Sequence, residues 1–325
     1  MDQSIYIKPY PDTKIRALDL RLGSTCNLTC VMCYPSDSNK WHKIFEDYAR
    51  TVNKETENAI NITMNRYDPK KLNWAEDPKA WDNIFCSIDD DVKRIYLAGG
   101  EPFYIRGFED YLVELYNKCP QAFIEINTNA TRLLPEKYLK KLKGAKLGIR
   151  VSIDGLGTVD EYVRQGTKWD ETLANRKRML EVCPQVDFYI SATVGLSNCL
   201  HVTDFHKSWV EQGLIKPQDF NFNLLQWPKW QRMDMFPPEY KKRVEEKYRE
   251  HMTWLQKYDH LTRASKGYES AIKWMVTLTD ESFAQKLLKT VELKAITNKA
   301  KFVELRVCEK ISDFLKENFV DDLTY

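Results

Sequence analysis

Residues 14–23 read Lys-Ile-Arg-Ala-Leu-Asp-Leu-Arg-Leu-Gly, with apolar and polar side chains in turn. A period of two predicts a half-buried strand. Five more strand patterns follow, over residues 94–98, 123–128, 147–153, 188–194 and 220–225. Helical periodicity fills the gaps at 107–119, 135–142, 170–182 and 202–212, with Pro135 at a helix start, where proline is tolerated. Residues 34–78 are polar, Asn-rich and weakly periodic, and predict a long loop with helical pieces. Residues 81–86 carry the apolar stripe of a first helix, ended by the solvated turn Asp89-Asp90-Asp91. Strands alternating with helices at this spacing predict an α/β fold, six parallel strands in an open (βα)6 partial barrel. Past Pro238 the chain turns charged and helical, at 240–257, 265–277, 281–293 and 308–318. The expected organisation is a lead-in over 1–13, a barrel over 14–230 and a helical C-terminal extension over 231–325, placed to cover the barrel's open side.

On the fifth and sixth strands, Ser191, Thr193, Asn221 and Asn223 alternate with Ile190, Ala192, Val194, Phe220 and Phe222. The polar set is assigned to the cavity and the apolar set to the helices. At 325 residues, with 43% hydrophobic content, the chain can bury a sizeable core. Its 49 basic and 47 acidic residues give a net charge of +2, which supplies no whole-chain argument for nucleic acid or membrane. Lys-rich stretches such as 241–249 are interleaved with Glu and read as a solvated helix face rather than a phosphate-binding patch. Eight irregularly spaced cysteines do not form a disulfide framework. With early charges, no signal-like apolar core and no run of spanning length, a soluble cytoplasmic protein is expected.

The chemistry concentrates where the first strand ends, in Cys26-Asn27-Leu28-Thr29-Cys30-Val31-Met32-Cys33. Three thiolates so close on one loop can grip three corners of a cubane iron–sulfur cluster and leave the fourth iron open. Structural zinc needs four ligands; only one Cys-x2-Cys pair exists here, His42 is the nearest further candidate, and later cysteines stand singly. Zinc and plain buried thiols remain the alternatives. Directly after the second strand comes Gly99-Gly100-Glu101-Pro102. Two glycines permit close backbone approach to a ligand, and the carboxylate beside them can accept from an ammonium group. An ordinary strand-ending turn is the plainer reading. His201 and His206, near one helix start, are read as structural.

The C-x3-C-x2-C spacing resembles the radical S-adenosylmethionine (SAM) superfamily, and Gly-Gly-Glu one strand later is similar to the segment that holds the SAM amino group there. Asn127-Thr128-Asn129-Ala130 resembles the Thr-Asn-Gly turn of the SPASM/twitch branch, with Ala130 for the glycine, which assigns the left-handed conformation to Asn129. Val151-Ser152-Ile153-Asp154-Gly155 resembles the branch's Val-Ser-Ile/Leu-Asp-Gly element, and Arg164 with Gly166 its Asp-x-x-Arg-x-Gly loop, Asp160-Glu161 lying near the expected acid. The resemblance covers roughly residues 14–230 and implies a radical SAM partial barrel. It further implies one [4Fe–4S] cluster on Cys26, Cys30 and Cys33, and SAM held among Met32, Tyr34, Gly99, Gly100, Glu101, Pro102, Thr128, Asn129, Ser152, Asp154 and Arg164. A reductant such as flavodoxin or ferredoxin would supply one electron, and a 5′-deoxyadenosyl radical would take hydrogen from a peptide or small molecule. Only Cys308 follows Cys199, so no auxiliary cluster is expected. A zinc-binding or scaffold protein on a degenerate barrel is the competing class.

Overall fold

The computed structural model describes residues 14–50, 54–227, 231–236, 238–258 and 263–276. The elements are β1 (Ala17–Arg21), α1 (Lys40–Ala49), α2 (Lys54–Arg66), the one-turn α3 (Pro69–Leu72), α4 (Pro78–Ser87), β2 (Arg94–Ala98), α5 (Phe108–Lys118), β3 (Phe123–Thr128) and α6 (Glu136–Lys141). There follow β4 (Lys146–Val151), α7 (Thr158–Val163), α8 (Trp169–Val182), β5 (Asp187–Val194), α9 (Val202–Glu211), β6 (Phe220–Leu224), α10 (Pro238–Leu255) and α11 (Arg263–Val276). Among the described residues the strands form one six-stranded parallel sheet in the order of the chain, β1 to β6. A parallel neighbour can be reached only by a crossover, and the helices supply it. This is the expected α/β partial barrel.

Alternation decides which side of each strand faces the helices. Ile95, Leu97, Ile124, Ile126, Leu147, Ile149, Ile190, Ala192 and Val194 are buried in one core with Phe108, Leu112 and Leu115 of α5, Leu139 of α6, Met179 of α8 and Phe205 and Trp209 of α9. The residues between them point to the concave side. There Asn223 Nδ2 donates to Ser191 Oγ at 2.9 Å, while Phe220 stacks on His206 of α9 with ring centres 4.2 Å apart. The register puts Asp19, Tyr96, Glu125 and Gly148 side by side, one level below Asn127, Arg150 and Tyr189.

In the polar stretch 34–78 the helical pieces are α1, α2 and α3. Asp68 and Asp77 each cap a helix that starts at the next residue, a proline: Asp68 Oδ1 accepts from Lys70 N–H and Asp77 Oδ1 from Lys79 N–H. Both Asp-Pro pairs are helix starts of ordinary chemistry. In the turn before β2, Asp91 ion-pairs with Lys14 and Arg16.

Of the four helices expected after Pro238, two fall within the described residues as α10 and α11; residues 281–293 and 308–318 lie outside them, as does the lead-in 1–13. The described part of this region packs on the outer face of β6. Phe222 meets Tyr248 of α10 and Tyr268 of α11 at ring-centre distances of 5.8 and 4.8 Å. A Cβ on Gly267 would lie 2.6 Å from Phe222 Cβ, so α11 sits as close to the strand as a glycine permits. Tyr240, Val244, Tyr248 and Tyr268 belong to the same core as the strands.

Candidate active site

The cysteine loop leaves β1 at the C-terminal edge of the sheet, where parallel barrels build their sites. It is clamped from two sides. From the α1–α4 segment, Asn73 Oδ1 accepts from Ser24 N–H (2.7 Å), Asn73 Nδ2 donates to Thr25 Oγ1 (2.8 Å) and Asn39 Oδ1 accepts from Cys26 N–H (3.3 Å). Ser38 Oγ donates to Leu28 O at 2.6 Å. From the end of α7, Gln165 O accepts from Thr29 N–H and Val163 O from Val31 N–H, at 3.0 and 2.8 Å. These bonds fix the backbone on both sides of Cys30.

Gly99-Gly100-Glu101 packs directly on that loop. A Cβ on Gly99 would lie 2.9 Å from Leu22 N, and one on Gly100 would collide with the Thr25 carbonyl. The glycines therefore let the ends of β1 and β2 touch each other. Glu101 N–H donates to Thr25 O at 2.7 Å, and its side chain is 0% exposed. Thr128 Oγ1 (2.7 Å) and Phe103 N–H (3.2 Å) donate to Oε1, and Asn129 N–H donates to Oε2 at 2.6 Å. Burial pushes this carboxyl up to about 7 despite the three donors. Both oxygens are thus engaged within the chain: Glu101 pins the β3 turn to the cysteine loop.

In that turn it is Ala130, not Asn129, that takes the left-handed conformation, with φ of 56°. Asn129 is held otherwise. Its Oδ1 accepts from Thr131 N–H (3.0 Å), and its Nδ2 donates to Asn27 Oδ1 (2.9 Å) and lies 4.0 Å from Cys26 Sγ. The strained backbone falls to the residue whose side chain has no such work.

The end of β4 contributes a buried charge cluster. Asp154 is 0% exposed; its Oδ1 accepts from Thr193 N–H at 2.6 Å, and Oδ2 faces Arg164 Nε at 2.8 Å as an ion pair. Asp160 Oδ1 accepts from Asp154 N–H at 2.7 Å, and Arg164 Nη1 lies 3.9 Å from Cys30 Sγ. Arg164 is therefore neither a surface ion pair nor free; it joins Asp154 to the cysteine loop. Burial works against its charge, but Asp154, Cys30 and Asp160 outweigh burial and raise its pKa. Burial pushes Asp160 up to about 7 and raises Asp154 as well. Among the thiols, Cys30 is lowered, because Cys33 hydrogen-bonds to it and Arg164 adds its charge. Cys33 is raised by the same bond and by burial, and burial pushes Cys26 up to about 11. Cys30 is the first of the three to become a thiolate.

Other assigned residues sit nearby in different roles. Ser152 N–H continues the ladder to Thr128 O at 2.8 Å, and Asn127 Nδ2 reaches Ser152 Oγ at 3.4 Å. Pro102 opens a 3₁₀ turn, Pro102–Tyr104. Met32 packs beside Val31, Val159 and Val163, while Tyr34 stands edge-on to Phe45 and Tyr67, 5.3 and 5.8 Å away. Sequence reasoning missed Asn39, Asn73 and Asn198; Asn198 Nδ2 donates to both Asp154 O and Thr193 O. It also missed Glu125 and Arg150 in the barrel interior, although a charge between isoleucines, as in Phe-Ile-Glu-Ile, is a legible signal.

The family model of the radical SAM superfamily matches residues 20–197, more than half of the chain. The chain belongs to the radical SAM superfamily. An uncharacterized protein of Methanocaldococcus jannaschii is 26% identical over 228 residues, 69% of this chain and 67% of its own. A GTP 3′,8-cyclase of Nautilia profundicola is 25% identical over 146 residues, 45% of this chain and 37% of the cyclase. Among solved structures, anSMEcpe with bound AdoMet and Cp18Cys peptide aligns with a TM-score of 0.48 at 16% identity, covering 77% of this chain and 63% of that one. The chain thus spans little more than a third of the cyclase and under two thirds of the solved structure.

As a member, it is a radical SAM enzyme, of a family that uses a [4Fe–4S] cluster and SAM. The donor set suits such a cluster. Cys26, Cys30 and Cys33 are free thiols on one clamped loop, and the Arg164 guanidinium, 3.9 Å from Cys30 Sγ, can offset the charge of the thiolates that would hold the cluster. Among the described residues no helix is long and apolar enough to cross a membrane.

Proposed function

We propose that Cys26, Cys30 and Cys33 hold the [4Fe–4S] cluster of this enzyme, and that SAM binds against the ends of β2, β3 and β4. The observation that carries this is the convergence of those three strand ends, through Glu101, Asn129 and Arg164, on one three-cysteine loop. The cluster, held by these three thiolates, would supply the single electron that cleaves SAM with release of methionine, and the adenosyl fragment would serve to take hydrogen from a substrate in the barrel mouth. The chain's own residues orient and exclude. Arg164 offsets thiolate charge at Cys30. Glu101 and Asp154 act through the turns they pin, while Gly99, Gly100, Pro102, Thr128, Asn129 and Ser152, with Met32 and Tyr34 on the cysteine loop, make up the SAM side. Residues 14–230 serve as the catalytic barrel and 231–325 as a twitch-like extension whose single cysteine, Cys308, holds no cluster. The electron comes from a flavodoxin- or ferredoxin-type donor.

The test is anaerobic reconstitution with iron and sulfide, followed by SAM and dithionite. About four irons and four sulfides per chain, with release of 5′-deoxyadenosine, are expected, and Cys30→Ala should abolish both. Zinc as the bound metal, or iron loading that Cys30→Ala leaves unchanged, refutes the assignment.

A further inference from the structure

Below the cysteine loop the concave face carries an open cavity of about 410 Å³, bordered by Ala17 and Leu18 and lined by the polar side chains of Asp19, Arg21, Arg94, Tyr96, Glu125 and Arg150. We propose that this cavity binds the carboxylate or phosphate group of a small-molecule substrate. The word substrate rests on the function proposed above; the affinity for an anion does not.

The charges are unequal. Arg21 pairs with Asp19 at 2.8 Å, both largely exposed. Glu125, 1% exposed, is shared between two guanidiniums, Arg94 at 2.6 Å and Arg150. Three guanidiniums face two carboxylates, so one positive charge is left at the cavity. The buried Glu125–Arg150 pair would by itself be structural. Arg94, with its side chain 59% exposed at the same carboxylate, is the surplus.

The cations are also held in place. The Arg150 guanidinium lies between two rings, its carbon 5.6 Å from the centre of Tyr96 and 5.4 Å from that of Tyr189. Arg21 covers Tyr96 as well, at 5.0 Å. Guanidinium–ring contacts of this kind stiffen a side chain that would otherwise lose rotamer freedom on binding. Burial alone would raise Glu125, but Arg94, Arg150 and the Tyr189 hydroxyl outweigh it and hold the carboxyl below its usual range. The anchor therefore stays charged at neutral pH.

Size and placement argue for a small molecule. Pockets for such ligands run from about 300 to 1,000 Å³. Glu125 lies three residues before Thr128, hence roughly 10 Å along the strand from the turn that meets the cysteine loop. Polar side chains continue along the concave face between the two levels: Asn127, Ser152, Ser191 and Asn223, with Asn221 Oδ1 buried and lacking a hydrogen-bond partner. A ligand anchored by its anion at Arg150 and Arg94 would present hydrogen-bond donors to Asn221 and its far end to the cysteine loop.

The test uses the full-length, cluster-loaded protein, titrated separately with inorganic phosphate and with succinate at fixed ionic strength, and read by calorimetry. Saturable binding of at least one is expected, weakened tenfold or more in Arg94→Ala and in the double variant R94A/R150M, which removes both guanidiniums that meet Glu125. Phosphate alone assigns a phosphorylated substrate, and succinate alone a carboxylate. If the double variant fails to fold, Arg94→Ala, a change of an exposed side chain, decides. Absence of saturable binding of both anions, or binding unchanged in Arg94→Ala, overturns the proposal. Iron content and SAM cleavage in the same samples judge the proposed function separately: their loss with anion binding intact sinks that function and leaves the pocket standing.

Discussion

Gly100→Ala tests whether the Gly-Gly-Glu segment serves packing of strand ends. Two glycines share a positive φ, Gly100 with 51° and Gly213, in the turn that ends α9, with 68°. They differ in surroundings: a Cβ at Gly213 would meet nothing within 4 Å, while at Gly100 it would collide with the Thr25 carbonyl, 2.8 Å from its carbon. A positive φ of this size costs an alanine about 1–2 kcal/mol. At Gly100 the Thr25 carbonyl must also retreat by about 1 Å before its oxygen reaches ordinary contact, an overpacking of the kind that costs roughly 1–3 kcal/mol. Gly213→Ala should thus lower stability by about 1–2 kcal/mol and Gly100→Ala by about 2–5 kcal/mol, both measured by urea unfolding. Because Thr25 directly precedes Cys26, Gly100→Ala should also lower iron bound per chain after reconstitution, and Gly213→Ala should not. Equal losses of stability in the two variants, or full iron loading in Gly100→Ala, would refute the packing argument.

Ala130→Gly removes a Cβ from a residue at φ of 56°; relief of about 1–2 kcal/mol against about 0.5–1 kcal/mol of added chain entropy predicts a small gain in stability, seen as a rise of a degree or more in Tm. His251 Nε2 and His206 Nδ1 lie 3.0 Å apart beside Tyr268, with His206 Nε2 at the Pro217 carbonyl, and burial lowers His206 and brings His251 to about 4. Groups lowered in the fold bind protons more readily unfolded, so stability is complete above about pH 6.5 and falls as pH drops toward 4, by roughly 3 kcal/mol for His251 alone. Glu101 and Asp160, raised to about 7, titrate in the opposite sense over part of this window, so the histidine share is the difference between wild type and His251→Gln in urea midpoints at pH 7.5 and 5; equal slopes would disprove it. Gly267→Ala should destabilise by about 1–3 kcal/mol, since its Cβ would press 2.6 Å from Phe222 Cβ; an unchanged urea midpoint would mean that α11 is free to move off β6.

The fold was most legible where hydrophobic period and local chemistry agree. The strands Arg94–Ala98 and Phe123–Thr128 fall where alternation placed them, because each alternates buried aliphatic residues with concave-side polar ones between clear turn signals. The fourth strand pattern, residues 147–153, overran the observed Lys146–Val151. Ser152 N–H still bonds Thr128 O, but Asp154 then turns its carboxylate back to Thr193 N–H and Arg164, and the ladder ends. The helices inside 34–78 have weak periodicity and rest on Asp-Pro starts and on aromatic contacts, such as Tyr34 with Phe45 and Tyr67, that join residues far apart in sequence.

The site divides along the same line. Its motifs are local, a few residues at a strand end, and a short sequence window displays them whole. What those side chains do is set by other strands. Glu101 looks available for a ligand until Thr128 and Asn129 are brought to it from β3, and Arg164 looks like a surface charge until Asp154 and Cys30 close around it. Removing either partner from a buried ion pair such as Asp154–Arg164 costs about 3–5 kcal/mol, so a substitution at either residue should also loosen the cysteine loop that Arg164 touches. The interior cations follow the same logic in reverse: Arg94 and Arg150 read singly as strand charges, and only the register that sets β2, β3 and β4 side by side turns them into one anion-facing wall around Glu125. In this barrel the motif residues brace one another at the strand ends, and the guanidiniums of Arg94 and Arg150 stand below them around Glu125.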